Sequence, residues 1–356
     1  MQTVWSNNLG GRKGYLVISS VPKGPTESRL QANRKVLITG GSGFIGTNLV
    51  DYLAGLNNTE ILNLDKEPPR KRTQDVYWKK VDIMDEENVR QFVSDFKPFH
   101  VIHLAARTDL DEKRSLEGYE ENIVGTENVL KAVNETDSVQ RVIVTSSMLV
   151  NSVGKNVSSD EDYSPPNLYG QSKVLTETIT RQFDLRCEWL IIRPTTVWGP
   201  WNFIHVDGFF RILRKGLYIH PGSRPILKSY GYVGNVAYQI VRLLEAPSDG
   251  IHHKTFYVGD PPIDLRLWVD EFSQMLRGKK VRTAPISAMK LIASLGDLLE
   301  TFRMKSPLTS FRLNNMTIDN IIDVEETLAV AGPSPYSLKT GVLETVEWLK
   351  WYERAC

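Results

Sequence analysis

The segment Thr39-Gly40-Gly41-Ser42-Gly43-Phe44-Ile45-Gly46 constrains this chain more than any other stretch. It joins a short β-branched run, Val36-Leu37-Ile38, to a helix-like stretch from Phe44 to Leu53. In that setting the glycines at 40, 43 and 46 have separate uses. The first permits a tight exit from a strand, the second lets backbone approach a pyrophosphate, and the third lets the helix lie close to the sheet. The helix N-terminus at Phe44 and Ile45 then aims unpaired N–H groups and the positive end of its dipole at phosphate. Strand, glycine turn and helix in this order predict an α/β fold that holds a dinucleotide at the carboxyl edge of its sheet.

The rhythm of the first half agrees. Apolar runs at Ile61–Leu64, Val76–Val81, Val101–Leu104, Val142–Val144 and Leu190–Ile192 alternate with helical stretches at 87–96, 122–133 and 169–183. Continuous apolar runs separated by helices describe strands buried on both faces, which predicts a Rossmann-type, doubly wound parallel sheet with right-handed crossovers. After Arg193-Pro194 aromatic, proline and glycine punctuation takes over, and helical segments recur at 233–244, 265–276, 288–302 and 342–352. The expected organisation is an N-terminal extension over 1–34, a dinucleotide-binding domain over 35–195, and a smaller, mostly helical substrate lobe over 196–356. That lobe interleaves with a last sheet strand near Phe256-Tyr257-Val258.

Composition narrows the class without naming a chemistry. The 43 basic residues nearly cancel the 42 acidic ones, which removes the electrostatic footprint of a general nucleic-acid binder. The two cysteines, Cys187 and Cys356, support neither a disulfide framework nor a zinc site, so no metal and a reducing, cytoplasmic setting are expected. No run approaches the ~18 apolar residues of a membrane span, and no membrane partner is expected. The apolar stretch Tyr15–Val21 lacks the cleavage site of a secretory signal.

Asp65 closes the second run. A carboxylate there accepts hydrogen bonds from a ribose 2′-OH and repels a 2′-phosphate, which favours NAD over NADP; Lys66, Arg70, Lys71 and Arg72 stand close enough to oppose that preference. Asp82-Ile83, after the third run, fall where the adenine would lie, and Asp82 is also a candidate cap for the next helix. In Tyr169-Gly170-Gln171-Ser172-Lys173 the four-residue gap puts Tyr169 and Lys173 on one helix face, one turn apart. An ammonium beside a phenol lowers its pKa toward useful acid/base chemistry. Thr145-Ser146-Ser147 ends the fifth run on the ligand-binding edge, where a hydroxyl can hold a reacting oxygen.

These motifs, with His103-Leu104-Ala105-Ala106, Asn122 before Gly125-Thr126-Glu127-Asn128-Val129, Arg193-Pro194 and Gly199-Pro200, resemble the extended short-chain dehydrogenase/reductases, specifically the NAD-dependent epimerase/dehydratase group. The resemblance covers residues 35 to about 260 well and continues loosely to a closing segment over 335–349. It implies Tyr169 as acid/base, Lys173 as its partner and nicotinamide-ribose ligand, and Ser147 as the substrate-orienting hydroxyl, with Ser146 second. It also implies Leu104, Ala105, Ala106, Asn122 and Pro194 beside the cofactor. His103, in a buried run, reads as a satisfied core residue.

Departures from the family pattern bear on the reaction. Ser147-Met148-Leu149 offers no carboxylate for elimination and no cysteine, which leaves hydride chemistry alone. Asn151 stands where nucleotide-sugar epimerases usually carry Tyr, and Thr196 falls where they usually carry Asn. Lys228 falls where they usually carry a diphosphate-gripping Arg and keeps the charge without the bidentate fork. Further cations in the second half are Arg211, Arg214 and Arg282. The preferred expectation is a nucleotide-sugar epimerase acting at C4, with Ser147, Thr196 and Lys228 toward a nucleotide-diphosphate sugar. A 3β-hydroxysteroid dehydrogenase-like or carbonyl reductase remains the alternative, and a catalytically silent NAD-binding sensor or scaffold a third. Stripes through Ile123, Leu130 and Val133, and through Val174, Leu175, Thr178 and Phe183, predict a homodimer of the kind the family builds as a four-helix bundle.

Overall fold

Alternating Val36, Leu37 and Ile38 send their side chains to opposite faces of a strand, and both faces are covered. Val36 and Ile38 pack with Leu49, Val50 and Ile240 on one side, while Leu37 packs with Val89, Val129 and Val133 on the other. Each such side chain taken from water contributes about 1.5–3 kcal/mol. The structure, a computed structural model, describes residues 34–355 apart from positions 156, 303–305 and 307. The extension expected over 1–34 therefore lies, but for Arg34, outside the described residues.

The first half runs β1 (Arg34–Thr39), α1 (Phe44–Ala54), β2 (Thr59–Asp65), β3 (Trp78–Lys80), α2 (Glu86–Phe96), β4 (His100–His103), α3 (Glu120–Asn134), β5 (Arg141–Thr145), α4 (Leu168–Gln182) and β6 (Glu188–Pro194). The third strand is shorter than its apolar run predicts, because Arg72–Tyr77 winds into a 3-10 turn ahead of it. The second half contributes short strands β7 (Thr196–Trp198), β8 (Ile219–Pro221), β9 (Leu227–Lys228), β10 (Tyr230–Tyr232), β11 (Thr255–Val258), β12 (Ile263–Asp264) and β13 (Arg282–Ala284). Its helices are α5 (Arg211–Arg214), α6 (Val233–Glu245), α7 (Leu265–Arg277), α8 (Ile286–Thr301), α9 (Ser310–Thr317), α10 (Glu325–Ala331) and α11 (Leu338–Ala355).

Seven parallel strands form the main sheet in the order β11-β6-β5-β4-β1-β2-β3. The strand order reverses between β1 and β4, which opens the ligand crevice of a doubly wound sheet outside their carboxyl ends. Pairing β11 onto β6 brings one strand of the second half into this sheet. Elements β7, β10, α5, α7 and α11 gather around an aromatic cluster in which Trp198, Tyr232, Trp268 and Phe272 meet at ring separations of 4.8–5.7 Å, while α6 packs on the sheet and α8 with α9 forms a small cluster of its own. No helix among the described residues is long and apolar enough to cross a membrane. No group of three or more His, Cys, Asp or Glu side chains among them is arranged to hold a metal ion. Of the expected intersubunit stripes, Leu130 and Val133 instead belong to the sheet core, and Phe183 packs against it.

Candidate active site

The glycine turn is built by close approach. Gly40 takes φ +76°, and a Cβ there would stand 2.5 Å from the Ala105 amide nitrogen; a Cβ on Gly46 would stand 2.3 Å from the Gly40 carbonyl. Side chains at either place would push β4's exit loop or α1 away from the turn. Gly43 begins α1 with no side-chain cap, so the helix's positive end is left open to an anion. Two residues pin the loop. Asn63, fully buried in β2, accepts from the Gly41 amide at 2.9 Å and donates to Ser42 Oγ at 3.2 Å. Asp65 accepts from the Ser42 amide at 3.0 Å, and burial raises its pKa against the pull of the Ser42 and Glu67 amides.

A glycine cradle with no room for a Cβ, an uncapped helix N-terminus and a carboxylate at the second strand's end fit a dinucleotide's pyrophosphate and ribose. Three of the four cations near Asp65 are otherwise engaged, and Arg72 is exposed. Lys66 pairs with Glu121, Lys71 with Asp51, and Arg70 donates to the Trp201 carbonyl while lying over the Phe203 ring. Asp82 is exposed and accepts from the Met84 amide at 3.0 Å. The cap of α2 is Asp85, which accepts from the Asn88 amide, so capping is not what Asp82 does.

The exits of β4, β5 and β6 line the same edge. Leu104 and Ala105 bond back to Thr39, and Pro194 ends β6 beside Val258. His103 is fully enclosed between Thr39 Oγ1 at 2.7 Å and Thr126 Oγ1 at 3.1 Å, and burial drives its pKa down to about 3. It is a neutral core residue. Asn122 is buried as well, and both ends of its amide are engaged: Oδ1 accepts from the Arg107 N–H, while Nδ2 donates to the Arg107 carbonyl and Ser172 Oγ. These bonds tie α4 to the post-β4 loop.

Ser147 and Tyr169 face each other at the crevice, and Ser147 Oγ accepts from the Leu149 amide at 3.1 Å. Burial pushes the Tyr169 phenol up to about 12; Ser147 opposes that shift and Tyr119, whose ring centroid lies 6.1 Å away, adds to it. The expected lowering by Lys173 is not a feature of this state. Its ammonium is turned to the Thr145 carbonyl at 2.8 Å, and burial, countered by Glu177, lowers its pKa to about 8. Gly170 lets α4 sit this close, since a Cβ there would lie 2.2 Å from the Leu149 carbonyl.

Sequence reasoning missed Glu177, two turns from Tyr169 and wholly buried. It accepts from Ser146 Oγ at 2.5 Å, from Arg193 Nε and Nη2 at 2.8 Å each, and from the Tyr163 hydroxyl at 2.9 Å. This network ties β5, β6 and α4 beneath the reacting groups. The signal was the continuation of the Tyr169–Lys173 spacing to Glu177 and Arg181. Asn151 was noticed only as a departure, yet both of its buried amide atoms lack a partner among the described residues, as does Thr145 Oγ1. Thr196 is exposed beside Met148, its hydroxyl 3.7 Å from the thioether sulfur. Lys228 does not offer its ammonium to a diphosphate: Nζ donates to the Asn315 carbonyl at 2.7 Å and the Ile318 carbonyl at 2.6 Å. Arg214, another expected cation, pairs with Glu353.

The model of the NAD-dependent epimerase/dehydratase family matches residues 36–259. The chain belongs to that family. Among its relatives, the N-acetyl-α-D-glucosaminyl-diphospho-ditrans,octacis-undecaprenol 4-epimerase of Escherichia coli O157:H7 is 28% identical over 333 residues, covering 89% of this chain and 95% of that one. The UDP-glucose 4-epimerase of Vibrio cholerae is 29% identical over 238 residues, covering 64% of this chain and 71% of that one. The solved UDP-glucose 4-epimerase of Thermotoga maritima, with UDP-glucose, superposes with a TM-score of 0.68 at 20% identity, covering 90% of this chain and 99% of that one. As a family member the chain is an NAD-dependent enzyme of the epimerase/oxidoreductase type.

Proposed function

We propose that the chain is an NAD-dependent 4-epimerase of a nucleotide-diphosphate sugar. The observation that carries the reading is the juxtaposition of Ser147 and Tyr169 at the crevice, with buried Lys173 one turn below and no carboxylate in Ser147-Met148-Leu149 for elimination. NAD, when bound, supplies reversible acceptance of hydride from the sugar carbon. The protein's part is to handle the proton. Tyr169 acts through its phenolate: the oxygen takes the hydroxyl proton as hydride leaves the sugar carbon and returns it when hydride comes back, so the phenol, raised to about 12 by burial in this state, reaches its working form where positive charge beside it brings that value down. Ser147 orients that hydroxyl, and Lys173 fixes the helix face on which the phenol stands. The unpartnered amide of Asn151 is a polar group for a polar ligand to complete.

The test is turnover without added cofactor. Wild-type protein should interconvert the C4 epimers of a UDP-, dTDP- or GDP-sugar, followed by NMR, and release NAD only on denaturation. Tyr169→Phe should lose about 10²–10⁴-fold in rate while keeping its NAD. Undiminished turnover in that variant would remove Tyr169 from the mechanism. A second reading, a polyprenyl-diphosphate carrier in place of the nucleotide, is favoured by the match along 95% of the undecaprenol-linked relative. Turnover of polyprenyl-diphosphate sugar alone would select it.

We also place the protein in the cytoplasm as a homodimer. A free, half-buried Cys187, its thiol pushed up to about 11 by burial, suits a reducing setting. The half-exposed residues Ile123, Val174 and Leu175 of α3 and α4 are the dimer contacts in this reading. Light scattering at micromolar concentration should give twice the chain mass; a monomer would refute it.

A further inference from the structure

We propose that α8 seats this chain on an anionic lipid bilayer through the apolar face formed by Leu291, Ile292, Leu295, Leu298, Leu299 and Phe302. The spacing i, i+1, i+4, i+7, i+8, i+11 gathers these six on about a third of the helix circumference. All are exposed, from 40% for Leu299 to 71% for Phe302. The helix does not need this face for its own packing. Met289 and Ala293 are buried against Leu313, Ala284 and Leu308, and a Cβ on Gly296 would meet the Leu308 carbonyl at 1.9 Å. So α8 has two apolar sides, one against α9 and one open. Contiguous exposed patches of this kind on a folded chain mark an interaction surface.

Charge decides the occupant. Basic and acidic residues nearly balance over the whole chain, yet positions 277–312 hold eight Lys and Arg against two acids. Lys279, Lys280, Arg282 and Lys290 are exposed, three of them on the approach to α8 through β13. Asp297, one of the two acids, is turned to the packed side, where it accepts from the Ser310 amide at 2.9 Å. An exposed leucine and phenylalanine face, with Lys290 at its near end and Lys279, Lys280 and Arg282 ahead of the helix, complements acyl chains beneath anionic headgroups. With 16 residues, α8 spans about 24 Å, short of the ~30 Å hydrocarbon core, so it lies in the interface rather than crossing it. The absence of a spanning helix among the described residues and the presence of an interfacial one are compatible. None of this depends on which sugar carrier the active site takes.

The experiment is co-sedimentation of the full, NAD-loaded chain with vesicles of phosphatidylcholine alone and of phosphatidylcholine mixed with phosphatidylglycerol. The chain should pellet with the mixed vesicles only, and salt should release it. Leu295→Glu with Leu298→Glu should cut the bound fraction at least about tenfold, and Lys279→Glu with Lys280→Glu several-fold. Both double variants change exposed residues, so melting temperature and NAD content should stay at wild-type values. Failure to pellet with mixed vesicles, or equal binding by the Leu295→Glu/Leu298→Glu variant, overturns the proposal. So does a dimer in light scattering that this variant converts to monomer, which assigns the face to a second copy.

Discussion

The sheet half and the helical lobe of this molecule hold themselves together in different ways. In the sheet half, an aliphatic interior surrounds a buried polar knot in which one carboxylate, Glu177, serves Ser146, Tyr163 and Arg193 at once. In the lobe, aromatic rings tile against one another, with Trp268 meeting Trp198, Phe209, Tyr230 and Phe272. A charge network tolerates one geometry, because a lost partner strands a buried charge. Ring packing tolerates several. The half that must hold Ser147, Tyr169 and Lys173 in register is the half built on the unforgiving interaction.

The largest effect expected from that contrast comes from Glu177→Ala. It leaves Arg193, itself fully buried, without its carboxylate, and such losses cost about 3–5 kcal/mol. Urea denaturation should register that loss, and NAD content should fall with it because β5, β6 and α4 lose their common anchor. A cost near that of a surface substitution would mean the knot is ornamental. The contrast would then collapse.

How much of this was legible beforehand follows the same division. The glycine turn and the Tyr169–Lys173 pair are local patterns, and their meaning follows from spacing along one loop or one helix. Asn63 and Glu177 are not legible in the sequence because their partners lie 14 to 31 residues away and meet only in the folded chain. In the lobe the distances are longer still, with Lys228 reaching carbonyls 87 and 90 residues onward. Asn122 shows the remaining limit. Its residue type and place follow the family pattern, yet the bonds by which it braces α4 against the post-β4 loop, to Arg107 and Ser172, are not visible in the sequence.

Acid should sharpen the comparison next. His100 and His103 both sit in β4, and burial holds each pKa down at about 3, with Arg34 and Arg141 adding to the effect on His100 and Lys173 to that on His103. The unfolded chain binds protons at these imidazoles near pH 6.5, which the folded chain refuses until about pH 3. Stability is therefore complete above 6.5 and is lost as pH falls below it, by about 1.4 kcal/mol per pH unit for each histidine. Denaturation at pH 7.5, 6.5 and 5.5 measures the slope. Changing both residues to Gln should flatten it, and an unchanged slope would move the acid sensitivity elsewhere, to the detriment of β4's role.

The smallest effect separates two uses of one lysine. If Lys228 gripped a diphosphate, Lys228→Met would raise KM strongly and leave folding alone. Its ammonium instead closes two carbonyls at the end of α9, joining β9 to a segment nearly ninety residues away, and burial lowers its pKa. Removing those donors leaves the Asn315 and Ile318 carbonyls in search of partners, at about 1–3 kcal/mol. Lys228→Met should thus lower the melting temperature modestly and leave KM for the sugar nucleotide within about twofold, since a change well under 1.4 kcal/mol in binding is less than tenfold. The opposite pattern, normal melting and a steep rise in KM, would return Lys228 to the substrate. It would also make the lobe, like the sheet half, a place where a single buried charge is held for chemistry rather than for architecture.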